Sequence, residues 1–454
     1  MKPLTVQLSE LALHRDLRCG LGIVQYRDVI GQFSQSKIPC ARLANHFTLE
    51  YGKSLPEDHR SGKSYPVVGS NGIVGWHDYY LFNGPCIIIG RKGSAGSVNY
   101  IEQDCFPIDT TFYLKSISDS FRLKYIYYLL KVMRIDRLAL FKAVPGLNRF
   151  DVYDIMIPKI PLDYQDILLS RIEPIESEIN ELKSRLVDPT KIIDDIFAEE
   201  LHIDLDSFRK LAGTQILSKS MSDIGSNQLL RLSVHYQRYS GFNSYFNDID
   251  NWHFLSDFYK ISGGKRIPKG QDFSTEPTPY RYLRPNEVSF FGINQEELPY
   301  LTERTYQRLS HYSISSGNFA ISIVGTIGKI ALVDLDSLDI DEESLILSEN
   351  FVKLSIKKDI ANPPLNGFLF YFFHSFLFQL QLQKEYTIRT QMKLGLDKVR
   401  NLKFPSLLPI HESRIADDIS TQLNRRNQLS EEIINKEAKL AEIVKNTVLL
   451  YAPN

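Results

Sequence analysis

The sequence predicts a mixed α/β (α+β) protein in which two similar globular domains are separated by two long helices that form an antiparallel coiled coil. Two observations lead to this prediction. An apolar β-type run that enters a Gly-Ser/Thr-x-Gly turn occurs twice, first within Cys86–Val98 and again within Phe319–Ile330. Each run is followed by a Tyr/Phe/Leu-rich helix and then by a heptad-patterned segment. The chain therefore repeats one order of globule and helix, with a built-in pseudo-twofold symmetry.

The repeat divides the 454 residues into six segments, and the 43% apolar content is sufficient for hydrophobic cores. The segments are an N-terminal lead at 1–37, a first globular domain at 38–160, a central coiled-coil helix at 161–204, a second lead at 205–250, a second globular domain at 251–408 and a C-terminal coiled-coil helix at 409–450.

Both helical segments have apolar residues that alternate at intervals of four and three, which is the coiled-coil pattern. Pro174 lies inside the first pattern and is expected to kink that helix or to mark its start. The second segment has no Pro or Gly between Glu412 and Thr447, so it predicts one helix of roughly 50 Å. The first seam is Leu168, Ile172, Ile175, Ile179, Leu182 and Leu186. The second is Ile415, Ile419, Gln422, Arg426, Leu429, Ile433, Lys436, Leu440, Ile443 and Thr447. Pairing within the chain buries both seams, and a coil between two copies is the alternative.

The repeat extends on both sides of the glycine turns. Gly-Lys pairs precede them at Gly52-Lys53 and at Gly264-Lys265. After the turns, Asp109–Leu114 corresponds to Ser348–Leu354. The helix that follows is predicted at Tyr125–Leu130 in the first half and at Phe368–Phe373 in the second.

Composition favours a cytoplasmic chain. There is no apolar run long enough for a membrane span, no signal-peptide pattern, and no C-x-x-C among the four cysteines. No metal site is expected. The net charge of −1 is unevenly distributed, because residues 161–204 carry 4 Lys and Arg against 12 Asp and Glu. The first globule has a basic excess, and local positive charge is what phosphate contacts require.

Catalytic motifs are absent or incomplete. Asn362-Pro363-Pro364-Leu365 is similar to the Asn-Pro-Pro-aromatic motif of adenine methyltransferases, but Leu365 replaces the aromatic ring that stacks on a flipped base. We interpret it as a loop before a helix. No G-x-x-x-x-G-K-[ST] loop exists, which argues against ATP hydrolysis by this chain.

The motifs of the first globule resemble a target-recognition domain. They are Gly52-Lys53-Ser54-Leu55, Val67–Gly75 and Ile89–Gly96, and the family is the DNA specificity subunit of type I restriction-modification enzymes. The proline-led start of the central helix, Ile160–Gln165, also resembles that family. The second helix departs from the pattern, with His411-Glu412-Ser413 in place of the expected glutamine.

This resemblance implies a subunit that does no chemistry itself. Each target-recognition domain would read one half of an interrupted DNA sequence, and the coiled coil would fix the spacing. The implied partners are double-stranded DNA, two methyltransferase subunits and restriction/translocase subunits. S-adenosylmethionine, ATP and magnesium would be bound by those partners and not by this chain. The recognition subunit of a fused restriction-methylation enzyme without a separate motor is an alternative. A coiled-coil protein-interaction scaffold with no DNA role is another.

Candidate DNA contacts are chosen by chemistry, because Arg and Lys bind guanine edges and phosphates, Asn binds adenine, and small hydroxyls bind phosphates. In the first globule they are Lys53, Lys63, Asn71, Arg91, Lys92 and Ser94. In the second they are Lys265, Arg266, Lys269, Arg281, Arg284 and Thr326. The glycines of the turns are explained by positive φ without any ligand.

Overall fold

A computed structural model of the chain describes residues 38–139, 146–212, 246, 252–385, 387–388 and 392–451. The first lead segment, 1–37, lies outside the described residues, as does most of the second. Helices and strands are mixed throughout, which confirms the predicted α+β class. The chain divides into two compact units, one formed by 1–185 with 429–454 and the other by 186–428.

The first unit contains short strands and three complete α-helices among its described residues, together with 3-10 turns at Leu43–Asn45, Glu57–His59 and Ile135–Ala139. The strands are β1 Cys40–Arg42, β2 Phe47–Tyr51, β3 Tyr65–Gly69, β4 Gly72–His77, β5 Cys86–Gly90, β6 Val98–Ile101, β7 Phe106–Pro107, β8 Thr111–Ser116 and β9 Met156–Pro158. The helices are α1 Leu123–Val132, α2 Arg149–Tyr153 and α3 Leu162–Arg185.

A four-stranded antiparallel sheet in the order β2-β8-β5-β6 forms the centre of this unit. Every residue of β5 is buried, as expected for a continuous apolar run in a central strand. Helix α1 contacts β5 and β6 and buries Ile126, Leu129 and Leu130. A second sheet in the order β4-β3-β7 includes a parallel β3–β7 pair, and β1 pairs with β9.

The second unit has more elements, with 3-10 turns at Pro285–Glu287, Gln295–Glu297 and Ser310–Tyr312. Its strands are β10 Trp252–Phe254, β11 Tyr259–Gly263, β12 Phe273–Ser274, β13 Arg281–Leu283, β14 Val288–Ser289, β15 Gly292–Ile293, β16 Tyr300–Leu301, β17 Phe319–Ser322, β18 Ile330–Leu332, β19 Leu345–Leu347, β20 Phe351–Ile356, β21 Thr387–Ile388, β22 Met392–Lys393 and β23 Lys403–Pro405. Its helices are α4 Pro189–Glu200, α5 Leu205–Ala212, α6 Leu255–Phe258, α7 Glu303–Leu309, α8 Asn366–His374, α9 Phe376–Glu385, α10 Leu396–Arg400 and α11 Pro409–Leu450. The part of α11 from residue 429 onward belongs to the first unit.

The central sheet of the second unit repeats that of the first. Its order β11-β20-β17-β18 is antiparallel throughout and matches β2-β8-β5-β6 strand for strand. The parallel pair β13–β19 matches β3–β7, and the pair β10–β23 matches β1–β9. The two units therefore share one topology, as the sequence repeat indicated.

Hydrogen bonds define the residue correspondence between the units. The Thr111 N–H donates to Ile108 O at 3.0 Å, and the Phe351 N–H donates to Ser348 O at 3.1 Å. Ile108 is therefore equivalent to Ser348. The predicted correspondence of Asp109–Leu114 with Ser348–Leu354 is therefore right at its C-terminal end, where Leu114 is equivalent to Leu354, and one residue off at its start. The reason is that both segments have a buried aromatic residue near the same place, and one-residue shifts are hard to detect in apolar strands.

The central helical segment contains two helices, and the C-terminal segment is a single helix. Helix α3 continues through Pro174 to Arg185, and α4 begins at Pro189 after the Asp188 side chain caps its N-terminus. Helix α11 is uninterrupted for 42 residues. Its buried positions differ in part from the predicted seam, since Leu423, Val444 and Val448 are buried in place of Gln422, Ile443 and Thr447. A straight α-helix has 3.6 residues per turn and drifts from a strict heptad register.

No helix in the described ranges is both long enough and apolar enough to cross a membrane.

Candidate nucleic-acid interface

The glycine turn of the first unit joins β5 to β6 and is closed by its own backbone. The Gly90 N–H donates to Ser97 O at 2.9 Å, and the Gly96 N–H donates to Gly90 O at 2.8 Å. Gly93 has φ +71° and Gly96 has φ +84°, which is the left-handed region. A Cβ at Gly96 would also lie 2.3 Å from the Cα of Asp136, whereas one at Gly93 would meet nothing. Gly93 is thus explained by conformation, and Gly96 by conformation and close packing.

The glycine turn of the second unit has the same construction between β17 and β18. The Ser322 N–H donates to Lys329 O at 2.9 Å, and the Gly328 N–H donates to Ser322 O at 3.0 Å. Gly325 and Gly328 have φ +74° and +88°. Thr326 is therefore equivalent to Ser94, and both residues are exposed at the tip of their turn.

The repeated Gly-Lys pairs also occupy equivalent positions. The Lys53 N–H donates to Pro107 O and the Lys265 N–H donates to Leu347 O, both at 3.0 Å. A Cβ at Gly52 would lie 2.1 Å from a carbonyl oxygen, and one at Gly264 would lie 2.2 Å from its nearest. Glycine is required here by the close approach of another strand. The lysine that follows is exposed in both units.

Several candidates of the first unit gather around Thr110. Its carbonyl oxygen accepts hydrogen bonds from the Arg91 N–H at 2.9 Å, the Lys92 N–H at 3.4 Å and the Ser70 hydroxyl at 2.7 Å. Asn71 follows Ser70 and is exposed, as are Lys92 and Ser94. Lys53 follows Gly52, whose N–H donates to the adjacent Thr111 carbonyl at 3.2 Å.

Arg91 is half-buried, and its guanidinium has partners inside the unit. Its Nη1 donates to the Asp109 carbonyl oxygen at 3.0 Å. Its Cζ lies 4.9 Å from the ring centroid of Tyr51 and 5.6 Å from that of Phe112. Lys63, in contrast, is exposed on another loop, two residues after Ser61, whose N–H donates to His77 Nδ1 at 3.3 Å.

The second unit presents fewer free cations among its candidates. Lys265, Lys269 and Thr326 are exposed. Arg266 donates through Nε to Glu349 Oε1 at 2.6 Å, and this carboxylate raises the pKa of Arg266.

Arg281 and Arg284 make internal contacts. Arg281 donates to the Leu298 carbonyl oxygen at 2.9 Å, and its Cζ lies 3.7 Å from the Tyr300 ring centroid. Arg284 donates through Nε to the buried Glu287 at 3.0 Å. Both side chains therefore hold the second unit together, and in this conformation less of each guanidinium is free for a ligand.

Two residues beside Arg91, Tyr51 and Arg149, were not among the candidates chosen from the sequence. The Cζ of Arg149 lies 4.3 Å from the centroid of Tyr51, so this ring is contacted by two guanidiniums. Tyr51 immediately precedes the Gly52-Lys53 pair. Arg149 follows Asn148, which forms a capping box with Asp151 at the start of α2. The Asn-x-x-Asp spacing was the available signal for that turn.

The motifs that resemble catalytic sequences have structural positions. Asn362-Pro363-Pro364 forms a loop, and Leu365 is the N-cap residue of α8, as expected. Within the described ranges, no cluster of three or more His, Cys, Asp or Glu side chains is arranged to hold a metal ion.

Residues 42–187 match the family model described as the type I restriction modification DNA specificity domain. This range contains both the Gly52-Lys53 pair and the Gly93–Gly96 turn. The resemblance inferred from these motifs is confirmed for residues 42–187, which are similar to the DNA specificity domain of type I restriction-modification systems. A search of curated protein sequences found no match.

Three solved structures are similar along most of their length. The type I restriction-modification S subunit from M. genitalium is 14% identical, with 92% of this chain and 97% of that chain covered and a TM-score of 0.41. A structure concerning complex assembly and conformational transition of the type I R-M system is 12% identical, with 91% and 97% covered and a TM-score of 0.40. The HsdS subunit from Thermoanaerobacter tengcongensis is 12% identical, with 90% and 95% covered and a TM-score of 0.33.

Proposed function

We propose that the chain is the DNA specificity subunit of a type I restriction-modification complex in the cytoplasm. Each unit would read one half of a bipartite target. The observation that supports this most strongly is the duplication of one sheet topology, together with the specificity-domain match in the first copy. Two related readers on one chain suit a target with two separated halves.

We further propose that the long helices form an antiparallel coiled coil that sets the spacing between the halves. Ion pairs within the first unit support this arrangement, because Glu178 contacts Lys436 at 2.7 Å and Lys183 contacts Glu437 at 2.6 Å. Within the second unit, Glu200 contacts Arg414 at 2.5 Å. Within the first unit the ring centroids of Tyr164 and Tyr451 lie 5.1 Å apart, so the partner's residue number falls from 451 to 437 as the first number rises from Tyr164 to Lys183. A helix of 42 residues spans about 63 Å, more than the roughly 34 Å of one turn of DNA.

The subunit would be non-catalytic and would act through partners. Two methyltransferase subunits would dock on it and use S-adenosylmethionine, and restriction/translocase subunits would bring ATP and magnesium. The chain itself would bind none of these cofactors. The domain boundaries inferred from the sequence would then separate readers at 38–160 and 251–408 from helices that dock the partners.

The proposal can be tested by selection from a randomised duplex library with the chain assembled with its methyltransferase subunits. The selected duplexes should share an interrupted motif with two fixed halves. The methyltransferase subunits without this chain are the matched control and should select nothing. Recovery of random duplexes by the full complex would contradict the proposal and favour a protein-interaction scaffold.

A further inference from the structure

We propose that Arg91 and Arg149, both stacked on Tyr51, together bind one phosphate of the DNA backbone. This inference rests on the proposed function and specifies one contact of the first unit. Their guanidinium carbons lie 4.9 and 4.3 Å from the centroid of the Tyr51 ring, which is 46% exposed. The ring restricts two long side chains whose charged ends would otherwise sample many rotamers.

The charge of this pair is not neutralised by ion pairs. Among the ion pairs of the described residues, none includes Arg91 or Arg149. Two acids are near in sequence or structure, Asp109 and Asp151. Arg91 contacts the backbone carbonyl of Asp109, and the Asp151 carboxylate accepts from the Asn148 N–H. Exposed Lys92 adds positive charge next to Arg91.

The pair also leaves hydrogen-bond donors without partners. The Nε atoms of Arg91 and Arg149 are buried, and neither has a hydrogen-bond acceptor in the part of the chain that the structure describes. Buried donors without acceptors are rare in native proteins, because water has been lost and nothing replaces it. Buried donors that lack an acceptor are therefore more typical of functional sites than of the rest of a protein.

The second unit demonstrates that the fold does not need this cluster. Gly263 is equivalent to Tyr51, because the next residues, Gly52 and Gly264, both donate to the strand opposite. Ile323 is equivalent to Arg91, since their carbonyls accept the Leu394 and Leu147 N–H groups respectively. Leu396 begins α10 as Arg149 begins α2.

The equivalent contact in the second unit is apolar. A Cβ at Gly263 would lie 3.9 Å from Leu396 Cδ1, so the positions equivalent to Tyr51 and Arg149 are neighbours in the second unit as well. An apolar cluster thus fills the place that two cations and a tyrosine fill in the first unit. Because both units fold with the same topology, the two arginines are not needed for folding. We infer that they bind a ligand outside the core. Two guanidiniums that converge on one aromatic ring match the charge and the oxygen acceptors of a phosphodiester.

The test measures the salt dependence of DNA binding by the chain assembled with its methyltransferase subunits. Each phosphate contact contributes about −0.9 to the slope of log K against log salt concentration. The double variant R91Q/R149Q should reduce the magnitude of the slope by about one and select the same motif as wild type. R91K/R149K keeps both charges and should retain most of the slope. K115Q, at an exposed position near the end of β8 opposite to Thr111, is the control for loss of a single charge and should leave the slope unchanged.

The outcomes separate this inference from the proposed function. If wild type selects no motif, the proposed function fails and the phosphate contact fails with it. If wild type selects a motif and R91Q/R149Q keeps the wild-type slope, only the phosphate contact is wrong. A changed motif in R91Q/R149Q would also overturn it, because the arginines would then read a base. If the glutamine pair does not fold, R91I/R149L carries the residues of the second unit and provides the same test.

Discussion

Gly264 illustrates how one missing Cβ determines a local structure. A Cβ there would lie 2.2 and 2.3 Å from two carbonyl oxygens, Ser348 O and Leu347 O, which cannot move without breaking strand contacts. We predict that G264A lowers the free energy of unfolding by about 1–3 kcal/mol, the usual cost of overpacking. Urea unfolding of the full chain measures this.

The neighbouring glycine provides a matched control. A Cβ at Gly263 would meet only Leu396 Cδ1, at 3.9 Å, which is ordinary contact. G263A should therefore change the free energy of unfolding by less than about 0.5 kcal/mol. Equal destabilisation by the two variants would mean that the glycines are chosen for strand conformation and not for close approach.

Glu412 is a buried carboxylate in the place where the first unit has a glutamine. Gln165 accepts the Arg122 N–H at 2.7 Å before α1, and Glu412 accepts the Leu365 N–H at 2.8 Å before α8. Gln165 also donates to Ile160 O at 2.8 Å. Burial raises the pKa of Glu412, although the Leu365 N–H opposes that shift.

The raised pKa gives stability a predictable pH dependence. A carboxyl group whose pKa is higher in the folded state binds more protons there, so its contribution destabilises the fold as pH rises above its unfolded value. E412Q keeps the acceptor and removes the charge. We predict a gain of about 1 kcal/mol at neutral pH that disappears as pH falls toward 4.5, the ordinary value for glutamate. Urea unfolding at several pH values measures it, and a gain that persists at acidic pH would contradict it.

At the residue scale, sequence reasoning identified residue types better than roles. It found Lys53 and Lys265, which are equivalent and exposed. It could not distinguish exposed cations from Arg284, whose guanidinium pairs with a buried glutamate. It also regarded Glu412 as a departure from the family pattern, although the residue makes the same type of hydrogen bond as Gln165. Those distinctions depend on tertiary neighbours that no sequence pattern contains.

At the scale of elements, the seam of α11 gives a direct test of helix packing. Ile433 is 6% exposed, whereas the adjacent Ile434 is 59% exposed. We predict that I433A lowers the free energy of unfolding by about 2–4 kcal/mol, because it removes buried methyl groups and leaves a cavity. I434A should change it by less than about 0.5 kcal/mol. Comparable losses in urea unfolding would show that the helix uses a different face.

The heptad pattern predicted these helices well because apolar spacing is a local property. It predicted the uninterrupted α11, which the structure contains. It was less accurate along the seam, where buried residues change register from Gln422 to Leu423. The strands of the second unit such as β12 and β14 have only two residues each, too few for a periodic signal.

At the scale of the whole molecule, the repeat predicts that both units contact the same duplex. Lys53 and Lys265 are equivalent and exposed, so each is a probe of its own unit. We predict that K53Q and K265Q each reduce the magnitude of the salt slope of DNA binding by about one in the assembled complex. K115Q is again the control. A slope that responds to only one of the two lysines would indicate that a single unit holds the DNA.

The duplication itself was visible in the sequence because glycines and apolar runs punctuate both copies. Its consequence for the sheet was only partly visible. The strand order β2-β8-β5-β6 joins residues from 47 to 116, and its counterpart joins residues from 259 to 356. Such long-range pairing cannot be derived from local spacing. The Gly-Lys pair was the one local indication of this strand pairing, because glycine is needed there only where the opposing strand comes close.

The proposed function requires that one chain reads two separated halves of a DNA target. It can be tested by mapping methylated adenines across the genome in cells with and without this chain. We expect an interrupted motif, with two fixed halves and a constant spacer, whose methylation disappears when the chain is removed. Methylation that is unchanged by removal, or loss of a continuous motif, would exclude the proposed function.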